Sequence, residues 1–494
     1  MYGEEKSDSL IVAANLANNP QGAESVERRS GAKGNAEQPH MRRTQSRESM
    51  SQRLSRVREA AKQRKKERFT ALFHLLTAEA LENAFLSLSR KAAAGVDGVR
   101  WKDYAENLKV NIADLHRRLH QGSYRAQPGR RHYIPKADGK QRPLGIASLE
   151  DKIVQYALVK ILNAVYENDF MGFSYGFRPG RSQHNALDAL ATGLVRTNVN
   201  WVLDADISQF FDKVSHEWLI RFIEHRIGDR RVIRLIRKWL TAGTSEEGEW
   251  RASEEGTPQG AVISPLLANI YLHYVFDLWA HQWRRRHATG NVVMVRYADD
   301  IVIGFDKRID AQCFRIAMQR RLKEFGLTVH PKKTRLMEFG RFAAENRASR
   351  GKGKPETFNF LGFTHISGKD RSGRFMLIRK TRRDRMTATL KAIKDGLRKR
   401  WHYSIPEQGK WLRRVVQGYL NYHSVPGNYP MMRKFRIYVT DLWRRALRRR
   451  SQQDDTTWTK ANRLAAVWLP KVRVLHPWPV ERFTARHPRQ EPGA

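Results

Sequence analysis

Residues Val292 to Phe305 read VVMVRYADDIVIGF, two apolar runs separated by the step Ala298-Asp299-Asp300. β-Branched residues on either side favour strands and the short polar interruption favours a turn, so the segment reads as a hairpin with two largely buried strands. Two adjacent carboxylates then sit at or beside its tip. Burying like charges without a partner is very costly. A solvated turn would avoid that cost. A divalent cation would offset it, and hard carboxylate oxygens suit Mg²⁺ or Mn²⁺.

A second segment of the same kind lies about ninety residues upstream: Trp201 to Phe211, WVLDADISQFF, an apolar strand carrying Asp204 and Asp206. Brought beside Asp299, Asp206 would let carboxylates bridge two metal ions about 4 Å apart, which activates an attacking oxygen and stabilises a leaving one. Such a site suits in-line transfer at phosphorus, where positioning and charge neutralisation matter more than covalent chemistry.

Asp206 followed by an aromatic residue five positions later, then Tyr297-Ala298-Asp299-Asp300, resembles motifs A and C of reverse transcriptases. Gln259 to Pro265, QGAVISP, resembles their QGxxxSP block. Tyr133-Ile134-Pro135-Lys136 with Arg142-Pro143-Leu144-Gly145-Ile146 is similar to the fingers block of group II intron reverse transcriptases. Gly95 to Gly98, Tyr175 to Pro179, Gly326 to Thr334 (GLTVHPKKT) and Phe360 to Phe363 complete eight blocks in the family's order. The chain is thereby identified as a member of the group II intron-encoded reverse transcriptase/maturase family, of the bacterial type lacking an HNH endonuclease domain. That domain depends on paired cysteines, and no endonuclease activity is expected here.

The resemblance implies roles for individual residues. Asp206, Asp299 and Asp300, with the backbone carbonyl of Ile207, would hold two Mg²⁺ ions, with Mn²⁺ as a substitute and Asp300 acting mainly from behind the ions. Asp204 is a competing carboxylate on the same face of the strand as Asp206. Phe211 would be a steric gate excluding ribonucleotides, a core role being the alternative. Lys136 and Arg142 would grip the triphosphate, one as a point charge and the other as a planar fork. Gln259 and Gly260 would meet template and incoming nucleotide, the glycine permitting close backbone approach. Lys333 would act as general acid for pyrophosphate or as a simple electrostatic aid. Arg178 would hold template or make an internal contact.

Composition agrees with a polyanionic partner. The chain has 91 Lys and Arg against 50 Asp and Glu, a formal net charge of +41, which is the electrostatic footprint of a nucleic-acid binder. Residues 371–494 alone carry 30 basic against eight acidic residues, with six of the 13 Trp. Three basic helices are expected over 380–450, separated by Ser404–Gly409 and Pro426–Asn428. There Arg413, Arg414, Tyr419, Arg444 and Arg445 are candidates for RNA contact, the aromatics otherwise packing between helices.

The expected fold class is α+β: right-hand polymerase-like fingers and palm, an antiparallel sheet with helices, followed by an α-helical thumb/maturase domain. The expected divisions are a disordered polar leader (1–60), an N-terminal extension with helical periodicity over 61–92 (61–115), fingers and palm (116–370), thumb/maturase or X domain (371–455) and a DNA-binding C-terminal region (456–494). No run approaches the roughly 18 apolar residues of a membrane span, and the N-terminus does not read as a signal peptide. The single cysteine, Cys313, excludes an internal disulfide and is expected to pack as a small apolar residue. A reducing, bacterial cytoplasm is the expected location, as a ribonucleoprotein. The implied activity is RNA-directed DNA synthesis together with assistance to splicing. The implied partners are group II intron RNA, an RNA template with a DNA primer, target DNA and deoxynucleoside triphosphates; no membrane is implied and a homodimer stays open. A maturase that only binds RNA, or a related enzyme adopted for host defence, are the alternatives.

Overall fold

The computed structural model describes residues 39–135, 141–450 and 456–486. Lys136 and the Asp138-Gly139 turn lie outside the described residues. In chain order the strands are β1 (Gly129–Pro135), β2 (Gln141–Ile146), β3 (Trp201–Asp206), β4 (Thr244–Glu246), β5 (Glu249–Arg251) and β6 (Val292–Tyr297). There follow β7 (Asp300–Phe305), β8 (Arg335–Glu338), β9 (Phe358–Phe360), β10 (Phe363–Lys369) and β11 (Phe375–Thr381).

The sheet that matters for function has the order β6-β7-β3-β8, antiparallel throughout. Side chains alternate across it. Leu203, Ala205, Met294, Ile301 and Ile303 enter one core, whereas Val202, Val293, Val295, Val302 and Met337 enter another on the opposite face. Helix Arg308–Glu324 covers the first face with Ala311, Phe314, Met318 and Leu322, spaced by three or four residues, and helix Gln183–Arg196 covers the second with Ala186, Leu187, Leu190 and Leu194. A sheet buried on both faces needs apolar residues at consecutive positions, which is why these strands read as near-continuous hydrophobic runs.

A second sheet, β2-β1-β4-β5, joins the hairpin of β1 and β2, in which Ile134 pairs with Arg142, to a short hairpin formed by residues 244–251. The third, β11-β10-β9, leads into helices Arg383–Arg398, Ile405–His423 and Tyr429–Arg448, whose Ile393, Leu412, Val416, Phe435, Val439 and Trp443 form a separate core. The architecture is thus mixed α+β, with two antiparallel sheets and one, β2-β1-β4-β5, in which β1 and β4 run parallel.

Several boundaries differ from expectation. A helix, Pro39–Gln63, runs through the end of the segment expected to be an unstructured leader, and Leu54, Val57 and Ala61 pack on the large core. The helical periodicity expected over 61–92 is broken: the chain leaves the helix after Gln63 and re-enters at Ala78, capped by the Thr77 side chain. Between them Leu72, Phe73, Leu75 and Leu76 are all buried, and the Asp229 carboxylate accepts from the Leu72 and Phe73 amides at 2.9 and 2.8 Å. Side chains buried on every side suit a single 3₁₀ turn, Phe73–Leu75, better than a one-faced α-helix. The division at 115 falls inside helix Leu108–Gln121, and the one at 370 falls inside the β10-β11 hairpin. The helix expected only after Gly409 starts at Ile405, because Ser404 and Glu407 form a reciprocal capping box. Cys313 is exposed and not packed. Among the described residues no helix is long and apolar enough to cross a membrane.

Candidate active site

β6 and β7 are joined by a two-residue loop, Ala298-Asp299, with Tyr297 opposite Asp300. Ala298 has φ +56°, the left-handed conformation that the first central position of a type II′ hairpin turn requires. Against it lies Gly176, where a Cβ would come within 2.3 Å of the Ala298 nitrogen, so the Tyr175-Gly176-Phe177 segment can pass only as glycine. On the neighbouring strand Asp206 pairs in register with Asp300, and Asp204 with Val302. Asp204, Asp206 and Asp300 therefore share one face of the sheet, with Asp299 in the turn at its end.

The electrostatics follow from this crowding. Burial, then repulsion from Asp299, Asp206 and Asp204, pushes the Asp300 carboxyl up to about 7, though the side chain keeps an open side toward solvent. Asp299 is raised by burial and by Asp206, while Arg142 and Lys333 pull it back. Asp204 is pushed up to about 6, chiefly by burial. Lys333 supplies the nearest cation, its Nζ lying 3.0 Å from Asp206 Oδ2. The GLTVHPKKT segment carries it there by pairing along the end of β3: Ser208 N donates to Thr328 O at 2.8 Å and His330 N to Asp206 O at 2.7 Å. Those two bonds flank the Ile207–Val329 pair, so the Ile207 N–H and carbonyl are directed away from that segment.

Among the described residues no three His, Cys, Asp or Glu side chains already stand together closely enough to hold an ion. The donor chemistry nevertheless suits a hard divalent cation. The Asp299 and Asp300 carboxyls, whose affinity for protons is raised first by burial and then by neighbouring carboxylates, are hard-oxygen groups that an added positive charge would relieve.

Other expected residues border the same place. The Gly145 amide donates to the Gln259 carbonyl at 2.7 Å, and a Cβ on Gly260, whose φ is +111°, would sit 3.0 Å from the Gly145 carbonyl oxygen. This close approach joins the QG step to β2, which carries Arg142. Arg142 itself is exposed, and its charge reaches Asp299. The Gln259 side chain donates to Asp212 at 2.9 Å. Phe211, next to Asp212, is half-buried against Phe210 and the large core.

Two candidates are taken up by the interior. Arg178 is buried, with its guanidinium divided among Glu167 and the carbonyls of Met171 and Ser174, which places it inside the protein and not on a surface RNA could reach. Tyr419 stacks on Phe435 with ring centroids 3.7 Å apart and is buried in the C-terminal helical core. Arg444 lies over the Trp458 ring and, like Arg445, pairs with Asp441. Arg413 and Arg414 are exposed. Sequence reasoning passed over Arg296, a fully buried guanidinium in β6 directly before the turn. Its signal was present: a single charge inside an apolar strand needs a reason.

The reverse transcriptase (RNA-dependent DNA polymerase) family matches residues 134–365. Protein YkfC of Escherichia coli (strain K12) is 43% identical over 206 residues, 41% of this chain and 54% of that protein. The group II intron-encoded protein LtrA of Lactococcus lactis subsp. cremoris is 37% identical over 223 residues, 44% of this chain and 37% of that protein. The putative COX1/OXI3 intron 1 protein of Saccharomyces cerevisiae is 26% identical over 393 residues, 66% of this chain and 46% of its own length. The chain thus spans about half or less of the length of these relatives. With the Asp206 strand, the Asp299-Asp300 turn and the QG step assembled inside the matched region, the chain carries a reverse transcriptase domain and is a relative of the group II intron-encoded reverse transcriptases and maturases.

Proposed function

We propose that the chain is an RNA-directed DNA polymerase that also binds its group II intron RNA to assist splicing and mobility. The observation that carries this reading is that Asp206 and Asp300 lie in register on one sheet face with Asp299 in the turn at its end. In this reading the β6-β7-β3-β8 sheet is the palm, the β1-β2 hairpin belongs to the fingers, and the helices from Arg383 to Arg448 form the thumb or maturase domain.

Asp206, Asp299 and the Ile207 carbonyl would hold two Mg²⁺ ions, with Asp300 in support. When bound, the ions supply charge neutralisation at the transferring phosphorus and activation of the attacking oxygen. Arg142, exposed at the edge of the carboxylate face, binds the triphosphate of the incoming nucleotide, and Lys136 is assigned the same task by sequence. Lys333 holds Asp206 in the absence of nucleotide and stands where a proton could be given to the departing pyrophosphate. Gln259, which donates to Asp212 next to Phe211, is assigned to the template and incoming nucleotide, and Phe211 to the exclusion of a 2′-hydroxyl. Intron RNA is assigned to the basic helices, with exposed Arg413 and Arg414 as contacts.

The test is primer extension by the purified chain on an RNA template with an annealed DNA primer, Mg²⁺ and deoxynucleotides, with Asp299→Ala beside it. Extension by the parent and none by the variant, with RNA affinity kept within about 1.4 kcal/mol, a factor of ten, is the expected result. RNA binding without extension in either protein would move the reading to a maturase that only binds RNA. Loss of RNA binding together with extension would make Asp299 a residue of the fold.

A further inference from the structure

Arg296 precedes the Tyr297-Ala298-Asp299-Asp300 step and is fully buried. An isolated buried guanidinium would be prohibitive, yet each of its five N–H groups has an acceptor. Nε donates to Asp277 Oδ1 at 2.7 Å and Nη2 to Asp277 Oδ2 at 2.5 Å, a two-pronged pair with a carboxylate that is itself fully buried. Nη2 also donates to Ser174 Oγ at 2.7 Å, and Nη1 to Asn269 Oδ1 at 3.1 Å. The remaining N–H, on Nη1, reaches the Ala298 carbonyl at 3.0 Å.

That last bond fastens the turn. Ala298 holds a left-handed conformation that costs an L residue energy, and its carbonyl lies on the peptide leading into Asp299. The other bonds fasten what lies against it. Asn269 Nδ2 donates to the Gly176 carbonyl at 2.7 Å, and Gly176 is the glycine pressed on the Ala298 nitrogen. The Arg296 backbone pairs with the same segment, Tyr175 N donating to Arg296 O at 2.8 Å and Arg296 N to Phe173 O at 2.9 Å. Asp277 arrives by an irregularity: five residues of π-helix, His273–Asp277, interrupt the run between helices Ser264–Leu272 and Leu278–Arg286. Single π turns are rare and recur near functional sites.

We propose that Arg296, with Asp277, Asn269 and Ser174, is a positioning residue that fixes the Ala298-Asp299 turn and thereby the separation of Asp299 and Asp300 from Asp206, setting the affinity of the carboxylates for divalent cations. The network rests on the polymerase reading only in that the cation site serves synthesis. The bond to the Ala298 carbonyl, made by a guanidinium that the other four bonds anchor, holds the turn in its arrangement, so cation binding does not have to order the turn as well. A planar fork is needed; a lysine, with three donors on one nitrogen, cannot span Asp277, Ser174, Asn269 and Ala298 together.

The test is Mn²⁺ binding to the full chain, read by the loss of the free-ion electron paramagnetic resonance signal, for the parent, Asp299→Ala, Arg296→Lys and the milder Ser174→Ala. Primer extension kinetics and thermal unfolding accompany it. Arg296→Lys is expected to weaken Mn²⁺ binding about 10- to 100-fold, the range for groups that orient a metal's ligands. It lowers kcat with little change in the KM for primer-template, and Ser174→Ala shows the same split more weakly, with RNA binding kept and a smaller fall in unfolding temperature than Arg296→Lys. Folded variants that bind Mn²⁺ like the parent would overturn the proposal. So would Mn²⁺ affinity, kcat and RNA binding declining together in step with thermal stability, because the network would then hold only the fold. A parent that binds Mn²⁺ through Asp299 and extends primers, beside unaffected variants, removes this inference alone. A parent that binds no Mn²⁺ removes it together with the reading on which it rests.

Discussion

At the scale of the residue, the two aspartates of β3 have separate fates. Asp206 has Lys333 as its counter-ion, whereas Asp204, one strand step away on the same face, is pushed up to about 6 by burial, against the pull of Arg335. A carboxyl whose folded value exceeds its unfolded one contributes stability at low pH and loses it as pH rises through the window from about 4 to about 6. Asp204→Asn should therefore stabilise the chain by about 2 kcal/mol at pH 8 and be nearly neutral at pH 4, measured by denaturant unfolding at both values. Polymerase activity should survive Asp204→Asn and be lost in Asp206→Asn. Equal loss in both would return Asp204 to the catalytic set. The carboxylates themselves were legible from spacing and resemblance. Arg178 and Tyr419 were not correctly separable from surface contacts, because an Arg or Tyr reads alike in sequence whether its polar atoms meet solvent or buried carbonyls.

At the scale of the element, the hairpin of β6 and β7 was the clearest feature, since two β-branched runs around two turn residues leave few alternatives. Its neighbour was less so. The QG step approaches β2 through Gly260, whose φ of +111° and missing Cβ together allow contact with the Gly145 carbonyl. Gly260→Ala should cost about 1–3 kcal/mol from backbone strain, seen as a lower denaturation midpoint, and should impair nucleotide use more than RNA binding. Equal stability would show that the loop relaxes away from β2. Helix ends were read less well than helix centres. Ser404 ends the expected loop because its hydroxyl can cap an amide, a choice that depends on three residues and not on periodicity. Likewise the buried 72–76 segment mimics a helix in composition while its amides are claimed by Asp229 from 157 and 156 residues away.

For the whole molecule, the C-terminal region shows what composition cannot reveal. Expected as a DNA-binding piece, it packs on the rest of the molecule through a few side chains, while most of its described residues, Trp458 and Trp478 among them, are exposed. Ala465 and Leu469 enter the core of the three basic helices, Phe483 enters the core behind β7, and Arg482 pairs with Asp188 on helix Gln183–Arg196. The chain's end thus ties the helical unit back to the central sheet. The positive charge left outward on helix Ile405–His423 includes Arg413 and Arg414. Replacing both by Gln should reduce the slope of log affinity for intron RNA against log salt by roughly 0.7 for each phosphate no longer neutralised, with primer extension on a short template little changed. An unchanged slope would place the RNA surface elsewhere.

The sequence by itself determined the apolar sheet, its paired carboxylates and the basic helices, because each depends on periodicity or on residue types close together in the chain. Only the tertiary structure decided which polar groups are satisfied inside and which face outward. It alone brought Arg296, Asp277, Asn269 and Ser174 together beneath the Ala298-Asp299 turn. The physical reason is burial: a buried charge is tolerable only when all its hydrogen bonds are met, and the partners that meet them come from segments up to 122 residues apart, where local pattern carries no information.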